Sequence, residues 1–145
     1  MESDVTKAPV VKRVRVDYTY AQFTDVGMAH TLNALALPTR GVVIGAHCIT
    51  TTSPDDGAGP MTHCYVEIGD AVGGGDPNSF VTSTETYGVG AGTIADTRGV
   101  RLTTTQGMLS STAAVNVTVT MTADVNLNTL TSGAWTIELA YIQEY

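Results

Sequence analysis

Residues 115–122 read Val-Asn-Val-Thr-Val-Thr-Met-Thr, apolar and polar strictly in turn. Successive side chains on an extended chain point to opposite faces, so this stretch buries one face and wets the other as a β-strand. The same period recurs near the N-terminus, where Val14, Val16, Tyr18 and Tyr20 alternate with Arg13, Arg15, Asp17 and Thr19. It returns at the far end, where Trp135, Ile137, Leu139 and Tyr141 alternate with Thr136, Glu138 and Ala140. A helix-based fold cannot use a period of two at three places.

Composition points the same way. The chain holds 24 Thr and 17 Val, β-branched residues that suit a half-buried pleated surface, while Lys, Glu, Gln and Leu are scarce. A coiled coil or helical bundle is excluded. With 145 residues, 43% of them hydrophobic, the chain can build one domain around one core.

The remaining segments are read from their punctuation. Residues 41–52 form a strand, and Ser53-Pro54-Asp55-Asp56-Gly57-Ala58-Gly59-Pro60 is dense in turn formers. Residues 62–69 then read as the return strand of a hairpin. Residues 79–83 give a short strand, residues 84–97 a glycine-punctuated loop, and Val100, Leu102 and Thr104 another strand. Residues 21–37 are ambiguous: Met28, His30 and Leu32 alternate, yet residues 32–37 also fit a short helical turn ended by Pro38. About eight short strands without a helix predict an all-β, antiparallel β-sandwich or jelly-roll-like domain over residues 13–145. Residues 1–12 read as an extended N-terminal arm.

Charge divides the chain. Residues 1–15 carry a net +2 and residues 16–145 a net −9. An acidic body repels phosphate backbones, so no nucleic-acid partner is expected. The basic arm suits an acidic protein surface, including a copy of the same chain. No apolar run reaches the roughly 20 residues that span a bilayer, so no membrane is expected. No signal peptide is visible behind Met1-Glu2-Ser3-Asp4, and synthesis in a reducing cytoplasm follows as the expectation.

His47-Cys48 and His63-Cys64 are the strongest candidates for chemistry. In the expected hairpin, pairing Cys48 with Cys64 also pairs Ala46 with Val66 and Ile44 with Ile68, all on the buried face. The two His then lie on the other face, so four ligands cannot converge on zinc. The two thiols are read either as reduced core residues or as a disulfide closing a loop of about 15 residues. Asp55, Asp56, Asp70 and Asp76 lie in Gly-rich loops without the spacing of a calcium loop, and read as turn formers. No nucleophile motif is present, and Gly88-Val89-Gly90-Ala91-Gly92 is not followed by a helix that could hold phosphate. Neither an enzyme nor a cofactor is expected.

One further pattern bears on function. It consists of Leu35-Ala36-Leu37-Pro38-Thr39-Arg40-Gly41-Val42-Val43, then Val66-Glu67-Ile68-Gly69-Asp70, then Asp76-Pro77-Asn78-Ser79-Phe80-Val81. A Gly-led last strand runs from Gly133-Ala134-Trp135 to an aromatic tail at Tyr141 and Tyr145. With the Thr/Gly/Val-rich, Lys-poor composition, the chain resembles virion structural proteins of tailed bacteriophages. Its size and arm look most like a small capsid decoration, or cementing, protein. The resemblance implies a sandwich or jelly-roll body, a homotrimer on the shell, and the major capsid protein as partner. It also implies a place on the capsid surface of the virion after synthesis in the host cytoplasm. On this reading Lys7, Lys12, Arg13 and Arg15 are arm contacts, and Tyr141 and Tyr145 are interface candidates. The competing expectations are a phage tail or fibre module that binds a host receptor or glycan, which an exposed Trp135 would favour, and a cellular binding module.

Overall fold

The computed structural model describes residues 10–70, 76–88, 90, 93–96 and 115–143. Its strands are β1 (Val11–Thr19), β2 (Ala29–Leu37), β3 (Gly41–Asp55), β4 (Cys64–Asp70), β5 (Asp76–Glu85), β6 (Thr93–Asp96), β7 (Val115–Ala123) and β8 (Ser132–Gln143). They form two antiparallel four-stranded sheets, ordered β1-β8-β3-β6 and β2-β7-β4-β5. Among the described strands, six of the seven successive pairs lie in different sheets, and β4 and β5 share one. The expected all-β sandwich is the fold found. Single 3-10 turns, Tyr20–Gln22 and Leu127–Thr129, are the helical pieces among the described residues, where no helix is long and apolar enough to cross a membrane.

The three alternating stretches turn their apolar residues inward as expected, but the polar faces of β7 and β8 are not wholly wet, since Thr118, Thr120 and Thr136 are buried too. Val117, Val119 and Met121 of β7 and Trp135, Ile137, Leu139 and Tyr141 of β8 are buried between the sheets. Val66 and Ile68 of β4 and Ala46 and Cys48 of β3 complete the centre. Each large side chain sealed there contributes roughly 1.5–3 kcal/mol relative to exposure. Phe23 packs edge-on against Trp135 at 5.9 Å between centroids and lies tilted against Tyr18, also at 5.9 Å, closing one end of the core.

Several local expectations are overturned. Residues 32–37 are not a helical turn but the second half of β2, whose pairing with β7 shifts between Asn33 and Leu35. The extra residue, Ala34, breaks the period of two and produces the ambiguity. β3 and β4 do not form a hairpin: β3 pairs with β8 and β6, and β4 with β7 and β5. Ile44 does not face inward; the β3–β8 register shifts between Val43 and Gly45, leaving Ile44 48% exposed. β3 runs on through the turn-rich segment to Asp55, and residues 93–96 of the expected loop pair with β3 as β6. The strand expected around Val100, Leu102 and Thr104 lies outside the described residues.

Candidate functional site

The outer face of the first sheet carries Arg13 and Arg15, two of the basic residues singled out from the sequence. β1 begins at Val11, not beyond residue 12, because β8 extends far enough to pair Val11 with Ile142 and Lys12 with Tyr141. Lys12, Arg13 and Arg15 therefore belong to an edge strand of the sandwich and not to a free arm. Lys7 and Tyr145 lie outside the described residues.

The register fixes what surrounds them. Arg13 lies beside Ala140, which lies beside Gly45; Arg15 lies beside Glu138, which lies beside His47. Small residues in the middle and long ones at the rims leave a groove of about 530 Å³. Gly45 and Ala140 floor it, Arg13 and Arg15 rim it on one side and His47 and Ile44 on the other, with Val11 at one end. Arg13 has no ion-pair partner among the described residues. Arg15 lies 3.3 Å from Asp17 and its guanidinium donates to Thr136 Oγ1 at 3.4 Å. Thr136 Oγ1 donates to Asp17 at 2.6 Å, and this bond, with Arg15 beside it, holds the Asp17 carboxyl below the usual carboxylate range. Both partners of the Arg15–Asp17 pair are more than 60% exposed, so the pair itself adds little stability.

Lys12 points the other way, toward the end of the core. Its Nζ sits 6.0 Å from the centre of the Tyr141 ring and donates to Gln143 Oε1 at 3.4 Å. Gln143 Nε2 in turn donates to the Thr39 carbonyl at 3.3 Å. Tyr141, expected at an interface, is only 8% exposed and belongs to the core cluster. Inward alternation on β8 explains this, since residue 141 shares the face of Ile137 and Leu139.

The Gln143 bridge ends on the turn between β2 and β3. There Gly41 N donates to the Pro38 carbonyl at 2.9 Å, and exposed Arg40 takes φ 58°. Arg40 is the non-glycine residue with positive φ among the described residues. A side chain in that conformation costs about 1 kcal/mol relative to glycine. The sequence reading passed over Arg40, because its surroundings carry no mark of left-handed backbone.

The paired His-Cys motifs separate. Cys48 on β3 and Cys64 on β4 are both fully buried free thiols, one from each sheet. Burial pushes each up to about 12, and the neighbouring Cys64 adds to the effect at Cys48. His47 faces the outer groove. His63 stacks on Tyr65 at 5.7 Å and its Nδ1 lies 2.7 Å from Glu85. No group of three metal-ligating side chains occurs among the described residues.

At the far end of the sandwich, carboxylates tie loops. Glu85 accepts the backbone N–H groups of Cys64, Thr86 and Tyr87. Asp124 accepts those of Thr62 and His63. These bonds outweigh burial and lower both carboxyls below their ordinary range. Asp55 and Asp56 accept from Gly57 and Met61, the turn-forming role expected of them. Trp135, the residue that would stack on a sugar, is 2% exposed.

No protein-family model and no curated protein matches the chain. Among solved structures it is similar to a chain described as the cyanophage Pam1 capsid asymmetric unit. The likeness covers 99% of this chain and 91% of that one, at TM-score 0.58 and 20% identity. At that identity the likeness is one of fold, and it spans the whole sandwich.

Proposed function

We propose that this chain is a structural protein of a phage virion, seated on the outside of the capsid shell as a decoration or cementing protein. The observation that carries the reading is the end-to-end likeness to a chain of a cyanophage capsid asymmetric unit. The strand orders support it: 1-8-3-6 over 2-7-4-5, with nearly every connection crossing between sheets, is how a jelly roll winds. In this role the chain staples subunits and catalyses nothing, so it needs rigidity and contact surface. β1 suits that need, because no described strand lies beyond it and an added strand would find open backbone groups there. The partners are the major capsid protein and two further copies of the chain, whose linked contacts sum by avidity. Neither nucleic acid nor membrane takes part, no cofactor is needed, and the protein is made in the host cytoplasm before joining the virion surface.

The test is co-sedimentation with empty shells assembled from the phage's own major capsid protein. Pelleting with the shell, together with a higher disruption temperature of the decorated shell, is the expected result. Protein left in the supernatant at micromolar concentration overturns the proposal. Light scattering at three times 15.1 kDa supports the trimer, and a monomer in solution and on the shell removes it.

A further inference from the structure

We infer that the end of the sandwich bearing Lys12, Arg13 and Arg40 is a seat for a carboxylate-rich face of another protein, with Arg40 as its strained contact residue. The Lys and Arg residues among the described ones are Lys12, Arg13, Arg15 and Arg40, in a chain of net charge −7. Arg40 and the start of β1 lie at one end. The row Val11–Ile142–Val42 crosses three strands there, and Arg40 precedes the next row, Gly41–Gln143. Two strand spacings, about 10 Å, separate β1 from β3. The Lys12–Gln143–Thr39 hydrogen bonds, at 3.4 and 3.3 Å, connect the two sites.

The opposite end has the opposite sign. Asp25 and Asp124 are exposed in its loops and Asp55 at the end of β3, with Asp56 half-buried beside it. An acidic partner therefore attracts one end and repels the other, which sets orientation as well as attraction. The basic end also carries apolar contact surface: Val10, Val11 and Ile44 are 56%, 50% and 48% exposed. Acids at the same end lie on the second sheet, where Asp70 pairs with Asp76 across β4 and β5; Asp70 is 8% exposed and its Oδ2 accepts from Ser79 Oγ.

Arg40 supplies an independent argument. Turn position 40, at φ 58°, suits Gly or Asn and strains any longer side chain. Residues held in sparsely populated backbone regions cluster at functional sites, which makes an exposed, strained cation a candidate contact. Substitution with glycine should therefore stabilise the body and weaken the contact.

The inference rests on the capsid reading only for the name of the acidic partner. Arg40→Gly and Arg13→Glu, singly and together, are compared with wild type on immobilised poly-L-glutamate and on empty shells. Asp25→Asn serves as the far-end control. The double variant should bind both surfaces roughly tenfold or more weaker, with Arg40→Gly melting at or above the wild-type temperature. Binding by wild type should fade as salt shortens the screening length to about 3 Å near 1 M. Variants that bind shells like wild type overturn the seat and leave the capsid reading intact. If wild type ignores the shell, the capsid reading fails. Poly-glutamate then decides the seat alone: loss in the variants supports it and equal binding sinks it. A salt-sensitive oligomer that Arg40→Gly dissolves would make a second copy the occupant and overturn the assignment to another protein.

Discussion

Cys48 and Cys64 approach each other from opposite sheets, one on β3 and one on β4, with no exposure to solvent at either. A bond between them would join the two sheets, not the arms of a hairpin. Buried and neutral at physiological pH, both thiols should resist alkylation in the folded protein. Iodoacetamide is expected to modify neither in native buffer and both in guanidinium. A non-reduced mass two hydrogens short would instead reveal a disulfide.

The same pair predicts an alkaline limit. Each thiol has a folded pKa near 12 against an ordinary value of 9.0. A raised pKa stabilises the fold fully below about pH 9, and that stability is lost as pH climbs toward 12. Burial raises Tyr18 as well, adding loss of the same sign. The melting temperature should fall steadily above pH 9, and Cys48→Ala with Cys64→Ala should flatten the fall without abolishing it. An unchanged slope in the double variant would contradict this.

On the acid side the sign reverses. Glu85, Asp124 and Asp17 have lowered folded pKa values, so their stabilisation is present above the ordinary carboxylate range and lost as pH falls through the folded values. Melting should weaken below about pH 4. Glu85→Ala removes the acceptor of three backbone N–H groups and should cost about 2 kcal/mol at pH 7. That cost should shrink at pH 3, and thermal melts of the variant at both pH values check it.

Gly133, the second residue of β8, has φ 139°, and a Cβ there would come within 2.6 Å of the Trp135 ring and 3.2 Å of Pro54 Cα. Gly133→Ala must therefore displace Trp135 from its contact with Phe23. The expected cost exceeds about 1 kcal/mol, with loss of the native tryptophan fluorescence environment. A melt equal to wild type would show that the ring moves freely.

How far the fold can be read in advance depends on residue pattern. β1, β7 and β8 were legible because an apolar residue falls at every second position, although Thr118, Thr120 and Thr136 on the polar faces of β7 and β8 are themselves buried. β2 was not, since the extra Ala34 hides its period. The inward placement of Ile44 failed for a similar reason, a register shift beside Gly45. The pairing of β3 and β4 failed on topology: strands adjacent in sequence enter different sheets, and no local spacing encodes that. Among the contact residues, Arg13 and Arg15 stood out by charge and alternation. Arg40 did not, because a left-handed backbone is visible in sequence only when Gly or Asn marks it.

The place of β8 between β1 and β3 bears on how the chain is made. The first sheet has a gap at its centre until the final strand exists. More than a hundred residues separate Thr19 from Ser132, so β1 waits roughly ten seconds on the ribosome for its neighbour. Until then β1 has no partner in its own sheet among the described strands, so closure of that sheet waits on a contact between segments far apart in sequence, the kind that forms slowly.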